Sequence, residues 1–86
     1  MTETRERSFR GISQRLARHY LGNLGGAVES DDHVVAEDWE ARLSSSTVSV
    51  GPSLTLTEVT VVFEGEPGTL DDLIERFAQK AMRAGG

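Results

Sequence analysis

Hydrophobic residues recur with two different periods along the chain, and these periods predict two helices around a group of strands. Polar residues alternate around one phenylalanine over 4–10, which predicts a short edge strand or an ordered arm. Over residues 12–24 the apolar positions follow a period of about 3.6, which predicts a helix. Ser13 is its expected N-cap, and Gly25-Gly26 supplies the left-handed stop that is common just past a helix.

The middle of the chain carries period-two alternation, which is typical of half-buried strands. An acidic loop follows the first helix, and residues 33–36 within it form a brief run that is compatible with a strand. Apolar and polar residues alternate over 39–43 and again over 48–50, with turns expected at 44–46 and at 51–53. These signals predict an antiparallel meander.

The next strand signal, between residues 54 and 63, changes phase part-way along. Apolar residues occupy first one parity and then the other: Leu54 and Leu56, then Val59, Val61 and Phe63. One extra residue in a strand restores the buried face after such a change, so we predict a bulge or bend near Thr57-Glu58.

The last apolar run has helical spacing again. Its apolar face comprises Leu70, Leu73, Ile74, Phe77 and Ala81. Thr69 and Asp72 have the spacing of a capping box, so the helix is expected to begin at Thr69, with Asp71 and Asp72 complementing its dipole. The predicted order is β-α-β-β-β-α, with a further candidate strand in the acidic loop. The fold class is α+β, an antiparallel sheet with two amphipathic helices packed on one face.

Composition narrows the class of protein. The 86 residues predict one small domain, 1–86, with a diglycine tail at 85–86, and the absence of cysteine excludes disulfides and thiolate zinc sites. Nine basic residues against 14 acidic ones give a net charge of −5, and Lys80 is the only lysine, a balance that resembles proteins of salt-loving archaea. No apolar run approaches the ~18 residues of a membrane span, and the N-terminus lacks the apolar core of a signal peptide. A cytoplasmic location is therefore expected.

The acidic segment 29–40 predicts that stability depends on salt. It holds six carboxylates and neither lysine nor arginine, and like charges repel until salt screens them over ~10 Å at 0.1 M. We expect the melting temperature, followed by circular dichroism, to rise between dilute and molar KCl. A melting temperature that stays level or falls would contradict this prediction.

Residues with catalytic chemistry are few. His19 is expected to be a partly exposed structural side chain on the first helix. His33 follows Asp31-Asp32, and the two interpretations are a weak metal ligand or part of a solvated acidic turn. No phosphate-binding G-x-x-x-x-G-K-[ST] loop occurs. We therefore expect that this protein is not an enzyme and that it holds no cofactor or metal.

The first 20 residues carry five arginines and a local charge of +3. Because the whole protein is acidic, these arginines are expected to form a solvated face that balances the acidic loop. Nucleic-acid binding is therefore not expected.

The diglycine Gly85-Gly86 at the end of the sequence has chemistry of its own. Lacking Cβ atoms, it can thread a narrow active-site channel, reaching about 7 Å past Ala84 at ~3.5 Å per residue. An ATP-dependent adenylating enzyme would convert the Gly86 carboxylate to an acyl-adenylate, from which sulfur or a lysine amine would displace AMP. The alternative is that the diglycine only caps the second helix, as Gly25-Gly26 is expected to cap the first.

The ending Arg83-Ala84-Gly85-Gly86 on a small acidic chain resembles the ubiquitin-like small archaeal modifier proteins and their sulfur-carrier relatives. This resemblance implies a protein modifier or sulfur carrier with Gly86 as the activated carboxyl group and Gly85 as its threading partner. It implies an activating enzyme and target proteins as partners, with Lys80 as the only lysine acceptor for self-conjugation. It also implies a β-grasp fold, of order ββαββ, as the alternative architecture.

The body of the chain resembles haloarchaeal proteins of the MoaD-related C-terminal domain type. The segments that carry the resemblance are Phe9-Arg10-Gly11-Ile12-Ser13, Val50-Gly51-Pro52-Ser53-Leu54, Leu56-Thr57-Glu58-Val59 and Phe77-Ala78-Gln79-Lys80-Ala81. This second resemblance implies the alternative function, a non-catalytic structural or interaction domain related to molybdopterin biosynthesis proteins.

Overall fold

The computed structural model describes the backbone of residues 2–85 and the side chains of residues 2–83. The elements are β1 (Glu3–Arg10), α1 (Gln14–Asn23), β2 (Ala27–Ser30), β3 (His33–Val35), β4 (Trp39–Ser49), β5 (Thr55–Gly65) and α2 (Pro67–Gly85). The strands form one sheet, antiparallel throughout, in the spatial order β1-β5-β4-β3-β2. The predicted α+β class is confirmed, and the arrangement is consistent with a β-grasp-like fold.

Both helices pack on the same face of the sheet, as predicted. Phe77 of α2 is the centre of an aromatic group, with ring centroids 4.8 Å from Phe9, 6.1 Å from Tyr20 and 5.9 Å from Phe63. The other buried side chains come from α1, α2, the sheet and the connection between β1 and α1: Ile12, Ala17, Leu21, Val34, Trp39, Ala41, Leu43, Val59, Val61, Leu70, Leu73 and Ala81. The helices and the sheet therefore share one hydrophobic core.

The ends of α1 follow the sequence prediction. The Ser13 hydroxyl accepts a hydrogen bond from the Leu16 N–H at 3.0 Å, which satisfies one free donor of the first turn. Gly25 has a φ of +108°, a conformation that glycine adopts without a steric penalty. The N–H groups of Gly25 and Gly26 donate to carbonyls of the last turn at 3.2 and 3.1 Å, the paired bonds of a Schellman motif.

The start of α2 differs from the prediction. The helix begins at Pro67, so Thr69 lies inside its first turn and the capping-box assignment is wrong. Proline is favoured at the first helical position because its missing N–H would be unpaired there anyway. Asp71 and Asp72 consequently lie past the first turn, so their predicted role of complementing the helix dipole is also wrong. The Asp72 carboxylate instead pairs with Arg76 one turn later at 3.1 Å.

The expected turn at 44–46 is also wrong. These three serines lie within β4, opposite residues 58–60 of β5. The ladder pairs the backbone groups of Ser44 and Ser46 with β5 in the extended conformation, so pairing with a neighbouring strand overrides the turn preference of serine.

The expected bulge at Thr57-Glu58 does not form. The register of β4 on β5 runs without a shift from Trp39 opposite Gly65 to Ser49 opposite Thr55. Because no residue is inserted, Leu56 lies on the opposite face of β5 from Val59, Val61 and Phe63.

The acidic loop contains two strands rather than one. β3 confirms the candidate strand there, whereas β2 was not predicted from the sequence. The two pair at the edge of the sheet, with an irregular register between Val28 and Ser30. Every residue of β2 is exposed, so β2 carries no alternation of buried and exposed positions.

Candidate functional site

The C-terminal end of α2 carries two of the predicted conjugation residues. α2 has 19 residues, about 28 Å of helix, and includes both Lys80 and Gly85. Gly86 lies outside the described residues. Ala81 is buried at 7% exposure, whereas Met82 is 75% exposed and Arg83 is also exposed. Residues 82 and 83 thus add no buried side chain that would hold the last turn against the core.

Lys80 lies in a groove between the end of α1 and the second half of α2. It is half-buried there, and the groove encloses about 320 Å³. The lining residues are Asn23, Leu24, Arg76, Gln79, Lys80 and Arg83. Three of them are cations spaced by four and three residues, a spacing that places them on one face of the helix.

The groove carries positive charge on a protein whose net charge is −5. Arg76 forms an ion pair with Asp72, but within the described part of the chain Lys80 and Arg83 form no ion pair. Groups on a partner that would complement this surface are carboxylates or phosphates. The groove was not predicted, although the spacing of Arg76, Lys80 and Arg83 could have indicated it.

Neither histidine lines this groove. His33 begins β3, and its Nε2 atom lies 2.6 Å from a carboxylate oxygen of Glu40 on β4. Asp31 and Asp32 form the acidic turn itself, as the solvated-turn interpretation expects. His19 is exposed on α1, with its Nε2 atom 3.3 Å from the Asn23 side-chain amide. Among residues 2–85 no group of three or more histidine, aspartate and glutamate side chains could hold a metal ion.

The N-terminal arginines are distributed over several contacts rather than gathered in one patch. Arg5 donates to the Asp71 carboxylate of α2, and this hydrogen bond is the main reason that the pKa of Arg5 is raised. Arg10 pairs with Glu58 across the β1–β5 ladder at 2.9 Å. Arg18 donates to the Asp31 backbone carbonyl of the acidic turn at 2.9 Å, and the same nitrogen lies 3.9 Å from the Asp31 carboxylate.

A family comparison identifies the chain. The pattern of archaeal MoaD-like proteins matches residues 5–86, which is nearly the whole sequence. The chain belongs to the archaeal MoaD-like family. No curated protein matches it. The MoaD-related resemblance of the sequence is therefore confirmed.

Membership of the archaeal MoaD-like family gives a general role. It suggests a sulfur carrier or ubiquitin-like protein, and such proteins are usually carriers or substrates rather than catalysts. MoaD-like proteins generally work with activating enzymes. Among residues 2–85 of this archaeal MoaD-like chain, no helix is both long and apolar enough to cross a membrane.

Proposed function

We propose that this archaeal MoaD-like protein is a modifier or sulfur carrier whose Gly86 carboxylate is adenylated by an ATP-dependent activating enzyme. The family match, which continues to Gly86, carries the proposal. The carboxylate attacks the α-phosphorus of ATP, forms an acyl-adenylate and releases pyrophosphate. A sulfide equivalent then displaces AMP to leave a thiocarboxylate, or a lysine amine displaces AMP and loses a proton to form an isopeptide bond.

Activation requires the end of α2 to unwind. Gly85 lies in the helix, where it contributes no rise beyond ~1.5 Å, whereas an extended residue reaches ~3.5 Å into a channel. Unwinding is inexpensive here because Met82 and Arg83 bury no side chain and glycine is the poorest helix former after proline. The buried Ala81 marks the point at which unwinding would begin to disturb the core.

A second candidate function rests on a separate observation. Because α2 continues through Gly85, the diglycine of a structural or interaction domain would serve only as the helix end. The Schellman bonds at Gly25-Gly26 show that this chain uses the same dipeptide to end a helix. Backbone NMR relaxation separates the two candidates. A rigid Gly85 amide supports the helix cap, whereas motion of this amide on the ps–ns scale supports a tail that an activating enzyme can bind.

Deleting Gly85-Gly86 is expected to abolish activation. The measurement is pyrophosphate exchange and intact mass after incubation with ATP and an archaeal ubiquitin-activating-type enzyme, using protein whose mass first establishes that it ends at Gly86. We expect an AMP adduct on the intact chain and at least about a hundredfold slower exchange on the deleted one, because the reacting carboxylate is misplaced. Equal exchange for both proteins, or none for the intact one, contradicts the proposal.

The same assay tests the helical end. Arg83→Pro removes one backbone donor from the last turn, and Arg83→Ala is its matched control because it removes the charge but keeps the helix. If unwinding limits access, Arg83→Pro speeds adenylation severalfold over Arg83→Ala, since a frayed turn opens at a cost of only about 1 kcal/mol.

Lys80→Arg, which keeps the positive charge, is expected to remove self-conjugates only, while conjugates with other proteins persist.

A further inference from the structure

The β4–β5 hairpin extends beyond the rest of the sheet as a two-stranded ribbon. β3 pairs with β4 only over residues 40–42, and β1 pairs with β5 only as far as Glu58. Within the described chain, residues 44–49 and 55–57 therefore pair with no strand except each other, and the Gly11 N–H donates to the Thr57 carbonyl at 3.1 Å where β1 ends. The molecule measures 44 Å along its long axis against 23 and 20 Å across it.

The ribbon is apolar on the face opposite to the core. Residues 59–65 of β5 bury alternate side chains against the helices, whereas the ribbon presents Ser and Thr on that side. Its apolar residues lie on the other side: Val48, Val50, Leu54 and Leu56. Val48 is directly opposite Leu56, and Leu54 is 57% exposed. No element of the described chain lies over this face of the ribbon.

The ribbon also lacks the features that keep sheet edges from pairing. Proteins protect edge strands with charged side chains, short strands or irregular register. β1 carries five charged residues, and β2 is four residues long with a shifted register. From Leu43 to Thr57, by contrast, fifteen consecutive residues carry no charge.

The direction of the backbone groups on β4 follows from one hydrogen bond. The Leu43 N–H points away from β5, because it donates to the Asp32 carbonyl at 2.8 Å. In an antiparallel ladder successive residues alternate in direction, so Ser45, Thr47 and Ser49 also point their N–H and C=O groups to the free edge. Val48 points its backbone groups toward β5.

We propose that β4 of two copies pair antiparallel about a twofold axis through Val48. This register pairs Thr47 with Ser49 of the second copy, twice, and satisfies both free donors and both free acceptors of that pair. It also makes the apolar faces of the two ribbons continuous. Val48 lies opposite Val48 of the second copy, and each Val48 has Leu56 of its own chain on its other side.

A second copy fits this edge for an electrostatic reason. Two chains of net charge −5 repel, and the uncharged ribbon is the part of the surface where they meet without opposing carboxylates. An identical strand is self-complementary in hydrogen bonding about a twofold axis. The interface is at the small end of specific interfaces, so we expect a concentration-dependent monomer–dimer equilibrium, favoured by salt. The pairing is independent of the diglycine chemistry, because α2 lies on the other face of the sheet.

Analytical ultracentrifugation of the full chain in molar KCl tests the dimer. Wild type is expected to approach twice the monomer mass as concentration rises. Val48→Asp places two carboxylates across the axis and is expected to stay monomeric, while Ser44→Asp, with the same charge on the same face of the same strand, dimerises like wild type. Thermal melts of both variants check that each one folds. A wild-type monomer at every concentration, or dimerisation of Val48→Asp equal to wild type, overturns the proposal.

Cysteine cross-linking tests the register, because the natural chain has no cysteine. Opposed residues at a position without ladder hydrogen bonds have Cα atoms about 4.5 Å apart, within disulfide range. Val48→Cys is therefore expected to cross-link on mild oxidation at least tenfold faster than Ser44→Cys, which lies about 13 Å along the strand from the axis. Equal rates overturn the pairing. A second result would also overturn the pairing: a chain that stays monomeric and whose Val48 NMR signals shift only when an activating enzyme is added. A different protein would then occupy the edge.

Discussion

Phe77→Ala is expected to leave the chain largely unfolded at 25 °C. The Phe77 side chain is fully buried and lies between aromatic rings from β1, α1 and β5. Truncating a buried phenylalanine typically costs about 3–5 kcal/mol, and a core of this size supplies roughly 3–5 kcal/mol in total. Urea unfolding followed by circular dichroism measures the loss directly.

Two control variants separate packing from a general effect on α2. Phe77→Leu keeps most of the apolar volume and is expected to cost less than half as much. Met82→Ala lies on the same helix but is exposed, so the free energy of unfolding should stay within about 0.5 kcal/mol of wild type. If Phe77→Ala lost less than about 1 kcal/mol, the aromatic group would not be the centre of the core.

Gly26→Ala and Gly22→Ala are expected to change stability in opposite directions. A Cβ atom on Gly26 would lie 2.4 Å from Val34 Cγ1 and 2.7 Å from a ring atom of Trp39, both buried. Such overpacking typically costs about 1–3 kcal/mol. A Cβ on Gly22 meets no atom within 4 Å, and alanine is favoured over glycine inside a helix by about 0.5–1 kcal/mol.

The two glycine variants form a matched pair, because the same methyl group is added four residues apart at the end of α1. Thermal melts under one set of conditions should place wild type between them, with Gly22→Ala the most stable. A Gly26→Ala protein as stable as wild type would mean that Val34 and Trp39 can move apart without loss. That outcome would contradict the close approach of α1 and the sheet at this point.

Both helices and most of the core could be predicted from the sequence, because their signals are local. The cap at Ser13 and the stop at Gly25 depend on neighbours within one turn, and the structure forms both. The turn expected at Ser44-Ser46 failed because strand pairing, a long-range effect, decided the conformation there. β2 was missed for a related reason, since an exposed edge strand has no buried face to mark it.

The candidate site was predictable only in part. The family resemblance could be inferred from the sequence because it depends on short segments such as Phe9-Ser13, and the family match confirms it. That Gly85 lies inside α2 depends on how far a helix continues past its last buried residue, Ala81, and local propensity does not fix that point. Activation of the Gly86 carboxylate and the role of Lys80 stay predictions.

The direction of α2 has a practical consequence for labelling. The N-terminal end of β1 lies beside Gly65, which is two residues before the start of α2, so the first strand begins close to where the last helix begins. The far end of that helix is about 28 Å away at 1.5 Å per residue. An affinity tag or fluorophore joined ahead of β1 is therefore separated from the C-terminal end of α2 by the length of the helix, and we expect it not to obstruct an enzyme that works on the tail.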